Sequence, residues 1–208
     1  MIRFTPLLNL KGFSDWLKVS PPTEFNLKGY DSEIWTQGGA EAIYLVCSWL
    51  AAKSNKDLNV LIPGYFCGQS LRFLRTLNVN LIFYPLTSEL LPDYQEIKSR
   101  VEGVEIDLFI HVHYFGNTNG AFESAQFASS IGAKLLEDAA HVISPRVATW
   151  VGDFVVFAPH KHFALPKIGL VIVRGNVKEV EFSRVQKFKA RAALISWFGK
   201  QVLKNVGW

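Results

Sequence analysis

The sequence predicts an α/β fold: a mainly parallel sheet with helices on both faces. Three observations carry that prediction. Short apolar runs rich in β-branched and aromatic residues recur along the chain, and segments with helical spacing of apolar positions stand between them. Glycines and prolines mark many of the junctions. Finally, 208 residues with 49% hydrophobic and 19% charged side chains suffice for one sizeable core and are not the composition of a disordered chain.

Residues 1–37, broken by Pro21-Pro22 and Gly29, read as an irregular lead-in arm. Gly38-Gly39 then opens AEAIYLVCSWLAAK, a helix with Ala42, Ile43, Leu45, Val46, Trp49 and Leu50 on one broad apolar face. LNVLI (58–62) is a buried-strand run ended by Pro63-Gly64, FCGQSLRFLRTLN a helix, and VNLIFY (79–84) a strand. PDYQEIKSRV (92–101) reads as a helix, IDLFIHVHYF (106–115) as a strand ended by Gly116, and FESAQFASSIG as a helix closed by Gly132. KLLED (134–138), DFVVFA (153–158) and IGLVIVR (168–174) complete the strands, so the main domain runs over 38–180.

The remaining segment, 181–208, is a basic amphipathic tail. From Phe182 to Trp208 it carries Arg184, Lys187, Lys189, Arg191, Lys200 and Lys204 without an acid, interleaved with Phe188, Trp197 and Phe198. It reads as a helix packed on the domain with its lysines solvated, or as a helix lying on an anionic membrane surface.

Several classes are disfavoured. A net charge of +4 does not by itself call for nucleic acid. No apolar run reaches the roughly 18–20 residues of a membrane span, and MIRFTPLLNLKGFSDW lacks a small-residue cleavage site. Cys47 and Cys67 stand in apolar surroundings without C-x-x-C spacing, which predicts two buried, reduced thiols and a cytoplasmic protein. No G-x-G-x-x-G, P-loop or G-x-S-x-G occurs.

The stretch from Leu135 to Val173 concentrates the chemistry. Asp138 ends one strand run, His141 follows three residues on, and Lys161 lies between two apolar runs. A lysine desolvated there would favour its neutral amine, which Schiff-base formation needs. An acid and a lysine at neighbouring strand ends are what pyridoxal phosphate (PLP) requires: the acid keeps the pyridine nitrogen protonated and the amine condenses with the aldehyde. Read plainly, Lys161 is a surface lysine in a turn and Asp138 a turn cap. The Gly38-Gly39-Ala40 turn offers backbone N–H groups and a positive helix end to a phosphate, or is simply a helix start. His111 and His113 share one strand face, and with His160 and His162 they raise a metal site, although no acid or cysteine is spaced to complete the set.

In order, GGAEAIYL, IPGYFCGQSL, HVHYFG, LLEDAAHVI and GDFVVFAPHKHFALPKIGLVIVR resemble the DegT/DnrJ/StrS family of PLP-dependent sugar aminotransferases, of aspartate-aminotransferase fold type I. The resemblance covers about residues 30–180. It implies that 38–180 is the PLP-binding large domain, that Lys161 is the Schiff-base lysine and proton carrier, and that Asp138 pairs with the pyridinium nitrogen. By the same resemblance His141 stands where a glutamine contacts the cofactor's phenolic oxygen, Gly39 and Ala40 where the phosphate is cradled, and Cys67 near the ring-stacking position. It further implies a homodimer with sites at the interface.

The departures from the family pattern are Ala40 and Ala158, which replace hydroxyls that would bond the phosphate at about 1.5–3 kcal/mol each. Ile168-Gly169 stands for a glycine pair, and the chain stops at Trp208, where the family continues into a small domain. The expected function is transamination of a nucleotide-linked keto sugar by an amino-acid donor, weak or absent in so short a chain. The alternative is a degenerate scaffold or accessory subunit that kept the fold and lost the cofactor.

Overall fold

The computed structural model describes residues 30, 32–54, 56–145, 149–163 and 167–174. Seven strands form one sheet: β1 (Ser32–Thr36), β2 (Leu58–Pro63), β3 (Val79–Tyr84), β4 (Leu108–Val112), β5 (Lys134–Asp138), β6 (Phe154–Phe157) and β7 (Gly169–Val173), in the order β1-β7-β6-β5-β4-β2-β3. The pairs from β3 through β6 are parallel. β7 runs antiparallel to both β6 and β1. The mainly parallel sheet predicted from the sequence is therefore present, with one reversed strand.

Among the described residues four helices cover it: α1 (Gly39–Lys53), α2 (Gly68–Leu74), α3 (Tyr94–Arg100) and α4 (Ala121–Ser130). On one face Ala42, Ile43, Val46 and Cys47 of α1 and Leu74 of α2 pack on Val60, Ile62, Ile110, Leu136, Val156 and Val171. On the other, Ile97 of α3 and Ala128 of α4 pack on Leu61, Phe109 and Leu135. Further along that face, Val155, Phe157, Leu170 and Ile172 are covered by Ala139, Val142 and Trp150. Burial on both faces explains why the central strands read as unbroken apolar runs.

Three readings need correction. Residues 32–36, read as irregular, form β1, whose half-buried Ile34 packs on the α1 side and Trp35 on the opposite face. The predicted strand 106–115 ends at Val112, and Tyr114–Gly116 form a short 3-10 turn in which Phe115 takes a φ of 54°. Cys47 is buried as expected, but Cys67 is exposed, because it caps the start of α2 beyond the end of β2. The basic tail 181–208 lies outside the described residues, as does most of 1–37.

Gly169 shows why a residue pair differs from its expected pattern without loss of fit. A Cβ there would lie 2.4 Å from the Gly38 carbonyl carbon and 2.7 Å from Thr36 Oγ1. Close approach of the β1–α1 turn demands glycine at that position, whatever residue precedes it.

Candidate functional site

The carboxyl ends of the parallel strands gather the candidate residues, as expected of an open α/β sheet. On β5, Leu135 and Glu137 point to the α4 face, while Leu136 and Asp138 point to the α1 face. Asp138 thus arrives, buried, at the strand's last position beneath the start of α1. Its Oδ1 accepts the Ala140 N–H at 3.1 Å. Burial raises its carboxyl above the ordinary value, against the opposing pull of the Lys161 charge, the Ala140 N–H, His141 and His113.

Lys161 ends the 3-10 turn Pro159–Lys161 that follows β6, its N–H donating to Ala158 O at 2.9 Å. Lys161 is exposed. The burial that the sequence led us to expect around its amine is absent in this chain by itself. The Lys161 charge nevertheless acts on the Asp138 carboxyl, pulling its pKa down against burial.

Gly39 opens α1 immediately above. Its Cα faces Ala158 and Ala140: a Cβ there would sit 3.5 and 3.8 Å from theirs, which is ordinary contact. The N-cap, Gly38, has no side chain to bond the first N–H groups of the helix. Ala40 is half-buried and Ala158 buried. Across this opening Lys167 Nζ donates to Glu41 Oε1 at 2.8 Å, an ion pair that sequence spacing gave no means of finding.

His141 is half-buried beside Asp138 and Lys161. Its Nδ1 accepts the Phe115 N–H at 3.3 Å, and its ring stacks on that of Phe115. Burial chiefly, then the charge of Lys161, lowers its pKa; Asp138 opposes them and His162 adds to them. Cys67 stands apart. Among the described residues no hydrogen bond or ring contact ties it to Asp138, His141 or Lys161. Its exposed neighbour Tyr65 stacks on Tyr114 with centroids 5.6 Å apart, and the Tyr114 hydroxyl donates to Tyr65 O.

The histidines of β4 have other duties. His113 Nε2 lies 2.8 Å from Glu137 Oε2, and His111 Nδ1 lies 2.8 Å from Ser124 Oγ, all four side chains buried. Among the described residues no group of three or more His, Cys, Asp or Glu side chains could hold a metal ion. The H-x-H spacing did announce a shared face. Its partner, Glu137, was hidden beside the more conspicuous Asp138.

Neither family models nor curated sequences match the chain. Solved structures do. NtdA of Bacillus subtilis, crystallised with bound cofactor PMP, aligns at a TM-score of 0.65 and 18% identity over 84% of this chain and 45% of its own. GDP-4-keto-6-deoxymannose-3-dehydratase carrying GDP-perosamine aligns at 0.61 and 18%, over 78% and 42%. The histidinol-phosphate aminotransferase of Clostridium acetobutylicum aligns at 0.60 and 18%, over 87% and 60%. The fold is theirs. This chain spans 42–60% of the length of these three proteins.

Proposed function

We propose that this chain is the large domain of a PLP-dependent aminotransferase acting on a nucleotide-linked keto sugar with an amino-acid donor, in the manner of the DegT/DnrJ/StrS family. The observation that carries the proposal is Asp138, a buried carboxylate at a strand end on which the Lys161 charge acts, with α1 starting close by at a glycine N-cap that offers no side-chain bond. This donor set fits PLP: an acid for the ring nitrogen, an amine for the aldehyde and helix N–H groups for the phosphate.

Asp138 would hold the pyridinium nitrogen, Gly39 and Ala40 the phosphate, and His141 the ring oxygen. When bound, the cofactor supplies an electron sink for the carbanion formed beside an amino group. Lys161 Nζ would take the Cα proton of the donor amino acid and return it on the other side of the transfer. The neighbour that holds GDP-perosamine supports the substrate class, and the one that holds PMP supports the cofactor. A second copy of the chain as partner and a cytoplasmic location belong to the same reading.

A second reading is favoured by one set of residues. Ala40 and Ala158 offer no hydroxyl to a phosphate, and Lys161 is exposed. A scaffold that kept the fold and lost the cofactor would look so.

The deciding experiment mixes purified protein with PLP, with Lys161→Ala alongside. The aminotransferase reading expects an absorbance band near roughly 420 nm, the range of protonated PLP–lysine adducts. Borohydride reduction should then fix a cofactor mass on the peptide carrying Lys161, and both signals should vanish in the variant. A folded protein that gives neither passes to the scaffold reading.

A further inference from the structure

The turn Tyr114–Gly116 is built around His141. Phe115 takes a φ of 54°, a left-handed conformation uncommon for a residue with a side chain, and it is 77% exposed. Burial therefore does not hold it there. The conformation instead accompanies one directed donor: the Phe115 N–H reaches His141 Nδ1 at 3.3 Å. The Phe115 ring lies 6.0 Å from the imidazole, 18° from parallel. Gly116, at φ 82°, closes on the same residue from behind, where a Cβ would come within 2.9 Å of the His141 carbonyl oxygen. Backbone and ring contacts thus fix both the position of His141 and its hydrogen-bonding role.

An imidazole nitrogen that accepts a hydrogen bond carries no proton, so the neutral ring holds its proton on Nε2. We propose that the Tyr114–Gly116 turn is a positioning device that fixes His141 as the neutral Nε2–H tautomer. A hydrogen-bond donor, and not an acceptor, then stands beside Asp138 and Lys161. The ligand chemistry such a donor selects is an anionic oxygen on an aromatic ring. That last step rests on the PLP reading of the site; the tautomer itself is a property of this chain alone.

The groups facing His141 are Phe115 from the turn, Asp138 at the end of β5, and Lys161 and His162 from the turn after β6. Burial and the Lys161 charge favour the neutral ring, His162 adds to them when protonated, and Asp138 opposes. Protonating the ring would place a proton on Nδ1 and break the bond from Phe115. The Phe115 amide must therefore report the titration of the ring.

The test is histidine-selective 15N NMR on the cofactor-free wild-type protein, with His141 assigned through His141→Gln. The expected result is an Nε2–H ring whose titration, below the ordinary histidine value, is followed at the same midpoint by the Phe115 amide. An Nδ1–H or mixed tautomer overturns the proposal, as does a Phe115 amide that ignores the titration. PLP binding gives the second arm. A glutamine amide reproduces a donor at the Nε2 position and an asparagine amide at the Nδ1 position, so His141→Asn should weaken binding at least about tenfold more than His141→Gln, the scale of one lost bond to a charged oxygen. Equal affinities overturn the donor role. The coupled titration in a protein that takes up no PLP supports the tautomer and sinks the cofactor reading instead.

Discussion

Glu137 and Asp138 are adjacent in β5, both buried, and they behave in opposite ways. Glu137 faces α4 and is met by donors on every side: His113 at 2.8 Å, the Val151 N–H at 2.8 Å and the Gly152 N–H at 2.6 Å. Burial would raise its pKa, but the His113 bond and charge and the two backbone donors outweigh that and hold it below the ordinary range. Asp138 faces α1, where its Oδ1 takes the Ala140 N–H, and burial wins. A carboxylate saturated by its own protein serves the fold. One whose burial its own protein leaves undercompensated is suited to a cationic ligand.

The largest test of this contrast is Glu137→Ala. It strands His113 Nε2 and two backbone N–H groups in the interior, and a cost of about 3–5 kcal/mol is expected, read from urea unfolding at neutral pH. A loss below about 1 kcal/mol, the worth of a surface pair, would show that the Glu137 network contributes little to the fold.

Acid unfolding separates the two groups by sign. Because the folded pKa of Glu137 lies below its ordinary value of 4.5, its contribution is complete above that value and is lost as pH falls through the folded pKa. Asp138 is raised above 3.8, so its cost begins as pH rises past 3.8, is complete above its folded value, and is gone below 3.8. Asp138→Asn should accordingly leave stability at pH 7 unchanged or raise it by up to about 1 kcal/mol, while weakening PLP binding at least tenfold, about 1.4 kcal/mol. A variant that unfolds like Glu137→Ala would place Asp138 with the structural acids and remove it from the site.

The two acids also show how far the sequence could be read. The α/β alternation was legible because each central strand is an apolar run between helical patterns, and strand β3 matches its predicted span. β1 was not, since its pairing with β7 is antiparallel and its residues are mostly half-buried, leaving no clean pattern. Asp138 stood out because an acid ending an apolar strand is unusual. Glu137, one residue earlier, carried no local mark: its role depends on His113 across the sheet and on backbone donors 14 and 15 residues away. His141 was legible as a candidate, but the strained turn that orients it was hidden inside what read as an unbroken strand. Exposure of Cys67 was missed for a related reason, since an apolar neighbourhood in sequence does not fix which side of a cap faces solvent.

The smallest effect sharpens the contrast from the far end of the Glu137 side. Tyr94 Oη lies 2.8 Å from Ser124 Oγ, which in turn meets His111 Nδ1. His111 edges His113, ring centroids 4.7 Å apart, so a polar chain runs from half-buried Tyr94 to Glu137. If the chain acts as one network, cutting its outer link should disturb Glu137. If Glu137 is held by its immediate donors, the cut should cost only the local hydrogen bonds of the hydroxyl, to Ser124 Oγ and the Gly120 carbonyl. Tyr94→Phe keeps the ring that packs against Phe127 and removes only the hydroxyl. We expect a loss of about 0.5–1.5 kcal/mol with the acid-unfolding profile unchanged in shape. Burial already holds His111 far down, at about 4, so removing a distant hydroxyl leaves it neutral and gives Glu137 no new charge to answer. A shifted acid midpoint in Tyr94→Phe would mean that the two faces of β5 differ by a cooperative network reaching to α3, and not by the donors within reach of each carboxylate.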